Sequence, residues 1–468
     1  MFIGRTKELS QIKEKMHDQR HAQLIVLYGR RRVGKSRLIR EAIKSEANIL
    51  YFEGIEGERQ AAQIEHFVSE LSRQTGRVKI AAKNWHEALL GLEETINTGR
   101  WVVFIDELPW MASEQSRLVA EFKFFWDRWA QQNPKLVVFL CGSVASFMVR
   151  HVVHSKALHN RKTLEICLPP LEPREAGSFV EKKGFKDKAM LYMFFGGIPK
   201  YLEQVSPSLS IEKNVNQLCL TRNGFFTNEF ETLFKEQFRS TKYYEAIVRN
   251  LSRNSASISE IAKGLGVDRG GGLKNYLTNL IQANFIREYQ SFSFTEGQKT
   301  KTIRYRLTDP FLNFYFWFIE PNRKMINLNT DRDLYSKSVT PKLPIYLGLQ
   351  FEKFCEASFL TILEKIDLDL GDVRNFGPFF QQKTAQNNGV QIDMVIELRN
   401  GNYHFLEFKF TEKPMGLEVV HEMTQKIERL KITCNRTVQK SLVTMNGVTK
   451  AVKESEYFDY ILSLADFQ

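Results

Sequence analysis

The stretch that decides the fold runs Leu24-Ile25-Val26-Leu27-Tyr28-Gly29-Arg30-Arg31-Arg32-Val33-Gly34-Lys35-Ser36. Its apolar start suits a strand buried on both faces, and a helical pattern over residues 37–43 follows the glycine-bounded turn. Glycines at 29 and 34 let backbone N–H groups curl around phosphate oxygens, while the next lysine reaches the outer phosphates and the hydroxyl after it ligates Mg²⁺. The helix N-terminus adds positive potential at the same point. The expected contacts to ATP or ADP are therefore Gly29, Arg32, Val33, Gly34, Lys35, Ser36 and Arg37, with Ser36 also a ligand of Mg²⁺.

Further short apolar runs at residues 49–52, 101–105 and 136–140 alternate with helical patterns, which predicts a parallel sheet with covering helices. The run Val102-Val103-Phe104-Ile105-Asp106-Glu107 sets two carboxylates at a strand's C-terminal end, where open parallel sheets bind ligands. Asp106 is expected in the magnesium shell and Glu107 against the attacking water. Ser143 closes the run from Val137 and either senses the γ-phosphate or caps the helix over residues 144–149. Arg161 follows a basic stretch and faces either a phosphate, in this subunit or a neighbour, or solvent.

At 468 residues the chain is too long for one core, and several domains are expected. No apolar run approaches the roughly 18 residues of a membrane span, which argues against a membrane protein. The five scattered cysteines fit neither a disulfide framework nor a zinc site, and a reducing cytoplasm is the expected location. The net charge of +12 is compatible with nucleic acid as a partner.

Taken in order, Phe2-Ile3-Gly4-Arg5 with Glu8-Leu9, residues 29–36, Ile105-Asp106-Glu107, Cys141-Gly142-Ser143 and Gly196-Gly197-Ile198-Pro199 resemble the archaeal-type ATPase family. This is an AAA+/STAND-related group of P-loop ATPases. The resemblance covers about the first half of the chain and implies an α/β P-loop NTPase sheet with a helical lid. It also implies that Ile3, Gly4 and Arg5 sit against the adenine and that Pro199 opens the lid. Cys141 departs from the family's small residue in the sensor strand.

The proline cluster at residues 168–173 marks a boundary, giving an ATPase core over 1–170 and a lid over 171–238. Two short helices and a strand pair between residues 243 and 307 predict a winged helix, assigned to 239–325. Arg269, Lys274, Lys299, Lys301, Arg304 and Arg306 set positive charge on its second helix and hairpin, where DNA phosphates would lie. Gly270-Gly271-Gly272 offers no side chains to read bases, so sequence-tolerant binding and a purely structural module both fit. The aromatic run over residues 311–319 reads as core, and residues 326–344 as a linker.

Over residues 345–468 a helix precedes two strands that flank the turn Asn400-Gly401. Residues two apart on a strand share a face, so Glu407 and Lys409 project together and a hairpin brings Asp393 alongside. Two such carboxylates would share Mg²⁺, with Glu352 completing the shell and Lys409 beside the nucleophile. This pattern is similar to the restriction-endonuclease-like PD-(D/E)XK superfamily, with Ile392 in place of the usual proline. Gln425 is either a support for the site or a surface residue. Cleavage of DNA and binding of DNA or a protein partner without cleavage both remain open, as does self-assembly.

Overall fold

The computed structural model describes residues 2–112, 116–238, 240–294, 303–328, 334–381, 389–430 and 436–467. They form two compact units. The first is Met1–Pro170 with Lys235–Arg239 and Thr278–Asn284; the second is Leu171–Phe234 with Ser240–Leu277 and Phe285–Gln468.

In the first unit, strands β1 (Gln23–Tyr28), β2 (Ile49–Glu53), β3 (Trp101–Asp106), β4 (Leu136–Gly142) and β5 (Leu164–Cys167) build a parallel sheet ordered β2-β3-β4-β1-β5. Leu24, Ile25, Val26 and Leu27 are wholly buried, as a strand covered on both faces requires. The register Tyr28 opposite Gly142 and Ile105 opposite Leu140 levels the C-terminal ends of β1, β4 and β3. The turn after β1, Ser143 after β4 and the Asp106-Glu107 pair after β3 therefore share one sheet edge, with β4 central. Strand β5 has no continuous apolar run, since Glu165 and Cys167 are exposed, and its pattern does not announce it.

Gly29 lies at φ 144° where β1 enters the turn, and a Cβ there would meet the Leu168 carbonyl oxygen at 2.6 Å. That carbonyl belongs to backbone pinned by the Leu168 N–H donating to the Tyr28 oxygen at 2.7 Å, so it cannot swing away cheaply. Gly29→Ala should lower stability by about 2 kcal/mol and weaken nucleotide binding; an unchanged melting temperature would show that the strand ends part freely.

The second unit holds two sheets. Short strands β6 (Ala256–Ser257), β7 (Ile286–Tyr289) and β8 (Arg304–Leu307) pair antiparallel in the order β6-β8-β7, with helices Lys242–Leu251 and Ile258–Leu265 and the start of helix Gly271–Gln282, whose residues from Thr278 on fall in the first unit, between and before them. The capping box of Ser257 and Glu260 fixes the start of Ile258–Leu265. Strands β9 (Val373–Gln381), β10 (Val390–Leu398), β11 (Tyr403–Lys409), β12 (Val438–Thr444) and β13 (Tyr460–Ser463) form a sheet ordered β13-β12-β11-β10-β9. Its β9-β10-β11 side is antiparallel and its β11-β12-β13 side parallel.

Phe311, Phe314, Tyr315 and Phe318 are buried, as an aromatic core segment demands. The span read as a linker differs from expectation. Its described residues are helical over Arg323–Leu328 and Tyr335–Val339, and helix Leu343–Ala357 follows. Ile326, Leu334 and Val339 are buried, so this polar-looking stretch packs on a thin apolar face.

Candidate functional site

The phosphate loop owes its shape to three left-handed residues, Gly29, Arg32 (φ 68°) and Gly34 (φ 96°). Gly34 caps helix Lys35–Ile43, so the N–H groups of the first turn open toward the sheet edge. Arg32 holds this conformation despite its side chain, a strain that is concentrated at functional sites. Lys35 is buried and its ammonium donates to the carbonyls of Gly29 (3.1 Å) and Arg30 (3.0 Å), folded back over its own loop. Val33 is buried, Ser36 half-buried and Arg37 exposed.

Arg5, also left-handed at φ 62°, lies beneath this loop. It is buried, donates to the Val33 carbonyl at 3.4 Å and to the Pro169 carbonyl, and pairs with Glu8. Ile3 and Gly4 precede it half-buried. This segment thus braces the loop from below.

Across the sheet edge, Asp106 is buried and accepts the Glu107 N–H at 2.9 Å, with the Tyr51 hydroxyl at 3.5 Å. Burial and the neighbouring Asp106 push the Cys141 thiol well up, so the residue that departs from the family pattern is a neutral filler against the carboxylate. Glu107 is left-handed at φ 47°, and its Oε2 accepts the Ser143 hydroxyl at 2.7 Å and the Ser143 N–H at 3.3 Å. Ser143 is therefore tied to Glu107. Ser36 and Asp106 are hard oxygen donors of the kind Mg²⁺ takes, one hydroxyl and one carboxylate.

Two expected members behave otherwise. Arg161 forks onto Asp127 of helix Leu118–Arg128, one arm at 2.7 Å, and donates to the His159 carbonyl; its partners lie outside the phosphate loop, because that carboxylate satisfies it first. Pro199 opens the short helix Pro199–Leu202 in the second unit. Two residues that local pattern does not signal join the first unit instead. Glu236 stands 3.4 Å from Arg31 and 3.7 Å from Arg32, and Gln237 donates to the Ser143 carbonyl at 3.1 Å. They come from a helix end some two hundred residues beyond the loop.

In the second unit the β10-β11 register, Met394 opposite Leu406, carries Asp393 level with Glu407. A register shift on the β9 side between Ile392 and Val395 re-aims the strand there. Asp393 accepts the Phe408 N–H at 2.8 Å. Burial, with Glu407 beside it, pushes the Asp393 carboxyl up to about 6; burial, with Asp393 next, pushes Glu352 on helix Leu343–Ala357 up to about 7. Glu407 is buried and gripped by Lys426 at 2.6 and 2.7 Å and by Lys409 at 3.1 Å; Lys409 also reaches Glu422 at 2.9 Å.

This corrects the three-carboxylate shell expected of Glu352, Asp393 and Glu407. Among the described residues no group of three or more His, Cys, Asp or Glu gathers to hold a metal, because Lys426 takes both oxygens of Glu407 and the ammonium supplies the positive charge a cation would bring. A metal does not fit these residues as they stand. Lys426, on helix Glu418–Leu430, is the residue the sequence reading missed by one position; Gln425 is exposed and accepts from Arg429.

Four of the six expected DNA-facing cations are described. Arg269 and Lys274 are exposed. Arg306 is consumed by Glu356 and stacks on Tyr289, and Arg304 by Glu260 and the Ser255 carbonyl. Hairpin arginines flanked by acidic helices pair internally before they reach solvent. Lys299 and Lys301 lie outside the described residues. Among the described residues no helix is long and apolar enough to cross a membrane.

Residues 2–205 match the family described as an ATPase domain predominantly from Archaea, and residues 315–427 match a family of archaeal and bacterial proteins of unknown function, a span that runs across the expected linker. An uncharacterised protein of Methanocaldococcus jannaschii is 29% identical over 371 residues, 78% of this chain and 79% of its own. An uncharacterised ATP-binding protein of the same organism is 44% identical over 46 residues, 10% of this chain and 76% of its own. Among solved structures, a Walker-type ATPase of Pyrococcus abyssi aligns at 18% identity over 67% of this chain and 96% of its own, with a TM-score of 0.47. The glycine-bounded loop and the acidic strand end both fall within residues 2–205, the span that is similar to this archaeal ATPase family.

Proposed function

We propose that this chain binds and hydrolyses ATP and acts on DNA. The observation that carries the reading is the shared sheet edge where Lys35, Asp106, Glu107 and Ser143 converge after β1, β3 and β4. Loop N–H groups and the Lys35 ammonium grip the phosphates once that ammonium lets go of the loop carbonyls. Glu107 takes a proton from water as its oxygen attacks the γ-phosphorus and the bond to the ADP oxygen breaks. Mg²⁺ held by Ser36 and Asp106 would draw charge from the phosphate oxygens.

Lys35→Ala should weaken ATP binding at least ~10-fold, measured by equilibrium titration with a fluorescent ATP analogue. Parental affinity would place the nucleotide elsewhere. The DNA half of the proposal rests on exposed Arg269 and Lys274 and on the helix-strand-helix-helix-strand-strand order typical of a winged helix. ATP turnover with and without single-stranded, duplex and supercoiled DNA tests it; indifference to all three would remove DNA from the reading.

A second reading, DNA cleavage, is favoured by one observation: Asp393 stands level with Glu407 on the adjacent strand, and Lys409, two residues on from Glu407, reaches its carboxylate at 3.1 Å. It would require Glu407 to leave Lys426 before any metal could use it. Supercoiled DNA incubated with the chain and Mn²⁺ or Mg²⁺ decides, since DNA left intact by the parent and by Lys426→Met would leave a domain that binds without cutting.

A further inference from the structure

Helix Glu229–Gln237 ends inside the first unit, and its last two residues meet the nucleotide edge with opposite chemistry. Glu236 sets its carboxylate against Arg31 and Arg32, the guanidinium pair of the phosphate loop, as an anion on an anion site. Gln237 is only 5% exposed. Its Nε2 donates to the Ser143 carbonyl at 3.1 Å, and the hydroxyl and N–H of that same serine hold the Glu107 carboxylate. Its Oε1 is buried and meets no hydrogen-bond partner among the described residues.

A buried acceptor without a donor costs about 1–3 kcal/mol, so its retention calls for a donor that arrives later. Exchanging the amide oxygen and nitrogen gives no relief, because two acceptors would then face each other at the Ser143 carbonyl. The missing donor has to be small, since the acceptor is buried, and has to carry an O–H or N–H. The γ-phosphate offers only acceptors. A water molecule fits.

We propose that Gln237 is a water-positioning residue for ATP hydrolysis, its Nε2 anchored on Ser143 and its Oε1 accepting one hydrogen of the attacking water. The inference rests on the hydrolysis reading above. The water's other hydrogen passes as a proton to Glu107 while its oxygen bonds to the γ-phosphorus and the bond to ADP breaks; Gln237 transfers nothing and fixes direction. Ser143 thereby links the two groups that flank the water, through its carbonyl on one side and its hydroxyl on the other. Glu236 on the same turn places the helix end against the phosphate loop.

The test compares the parent, Glu107→Gln, Gln237→Leu and Gln237→Asn for single-turnover ATP hydrolysis, for equilibrium affinity toward a non-hydrolysable ATP analogue, and for melting temperature. Gln237→Leu keeps the bulk and loses the acceptor, and Gln237→Asn keeps the amide but withdraws it by one methylene. Both should slow turnover roughly 10- to 100-fold while analogue affinity stays within about 3-fold, a split that a merely structural role does not give. A folded Gln237→Leu with parental turnover, or a loss seen wholly in analogue affinity, overturns the proposal; if that variant does not fold, Gln237→Asn decides by the same criteria. Slow Glu107→Gln with fast Gln237 variants sinks the water-positioning role alone. A parent that does not hydrolyse ATP, or a Glu107→Gln as fast as the parent, sinks the hydrolysis reading and this inference with it.

Discussion

Glu107→Gln should bind ATP with nearly parental affinity and hydrolyse it roughly 10²- to 10⁴-fold more slowly. The amide keeps the size and the left-handed backbone at φ 47°, and its oxygen still accepts the Ser143 hydroxyl. What it loses is basicity, the property needed to take the proton as water attacks. Binding rests on the loop after β1 and on Lys35 at the start of the next helix, so affinity and turnover separate. Single-turnover hydrolysis beside analogue titration gives both numbers. Loss of affinity equal to loss of turnover would mean that Glu107 shapes the pocket and that another group is the base.

Opposite effects on stability are expected from two neighbouring carboxylates in the second unit. Burial, with Glu407 beside it, pushes the Asp393 carboxyl up to about 6. The sign follows from linkage. Between about pH 4 and pH 6 the unfolded chain releases this proton while the folded chain keeps it, so stability falls as pH rises through that window and the full penalty stands above it. Asp393→Asn removes the penalty and should raise stability by about 2 kcal/mol at pH 8 and by almost nothing near pH 4.

Glu407 is the reverse case. Two ammonium groups hold it, and Glu407→Ala leaves Lys426 partly buried without its anion while Lys409 keeps Glu422. The loss should be about 2–3 kcal/mol at pH 8, at the low end for a broken buried pair because Asp393 is close enough to take over part of the charge. Denaturant unfolding of Asp393→Asn at pH 4 and pH 8 and of Glu407→Ala at pH 8 checks all three values. A destabilised Asp393→Asn at pH 8 would show that its bond from the Phe408 N–H outweighs the repulsion.

The nucleotide edge is legible in the sequence because its parts are local. A buried strand reads as an unbroken apolar run, positive φ calls for glycine, and the residues after a strand's last buried position must stand at the sheet edge. That places Lys35, Ser36, Asp106, Glu107 and Ser143 without knowing the strand order. The hairpin of Asp393 and Glu407 is legible for the same reason, since a tight Asn-Gly turn sets its own register. Strands β5, β9, β12 and β13 are not, because short or half-exposed strands lack an unbroken run and gain their stability from neighbours.

Local spacing alone therefore settled which side chains leave the ends of β1, β3 and β4, since backbone geometry over a few residues determines it. Only the tertiary structure decided what those side chains meet: Arg161 on Asp127, Arg306 on Glu356, Lys426 on Glu407, Gln237 on Ser143. Each of these is a choice of partner across 19 to 94 positions, made by burial and charge after the chain has closed, and no pattern along the chain encodes such a choice.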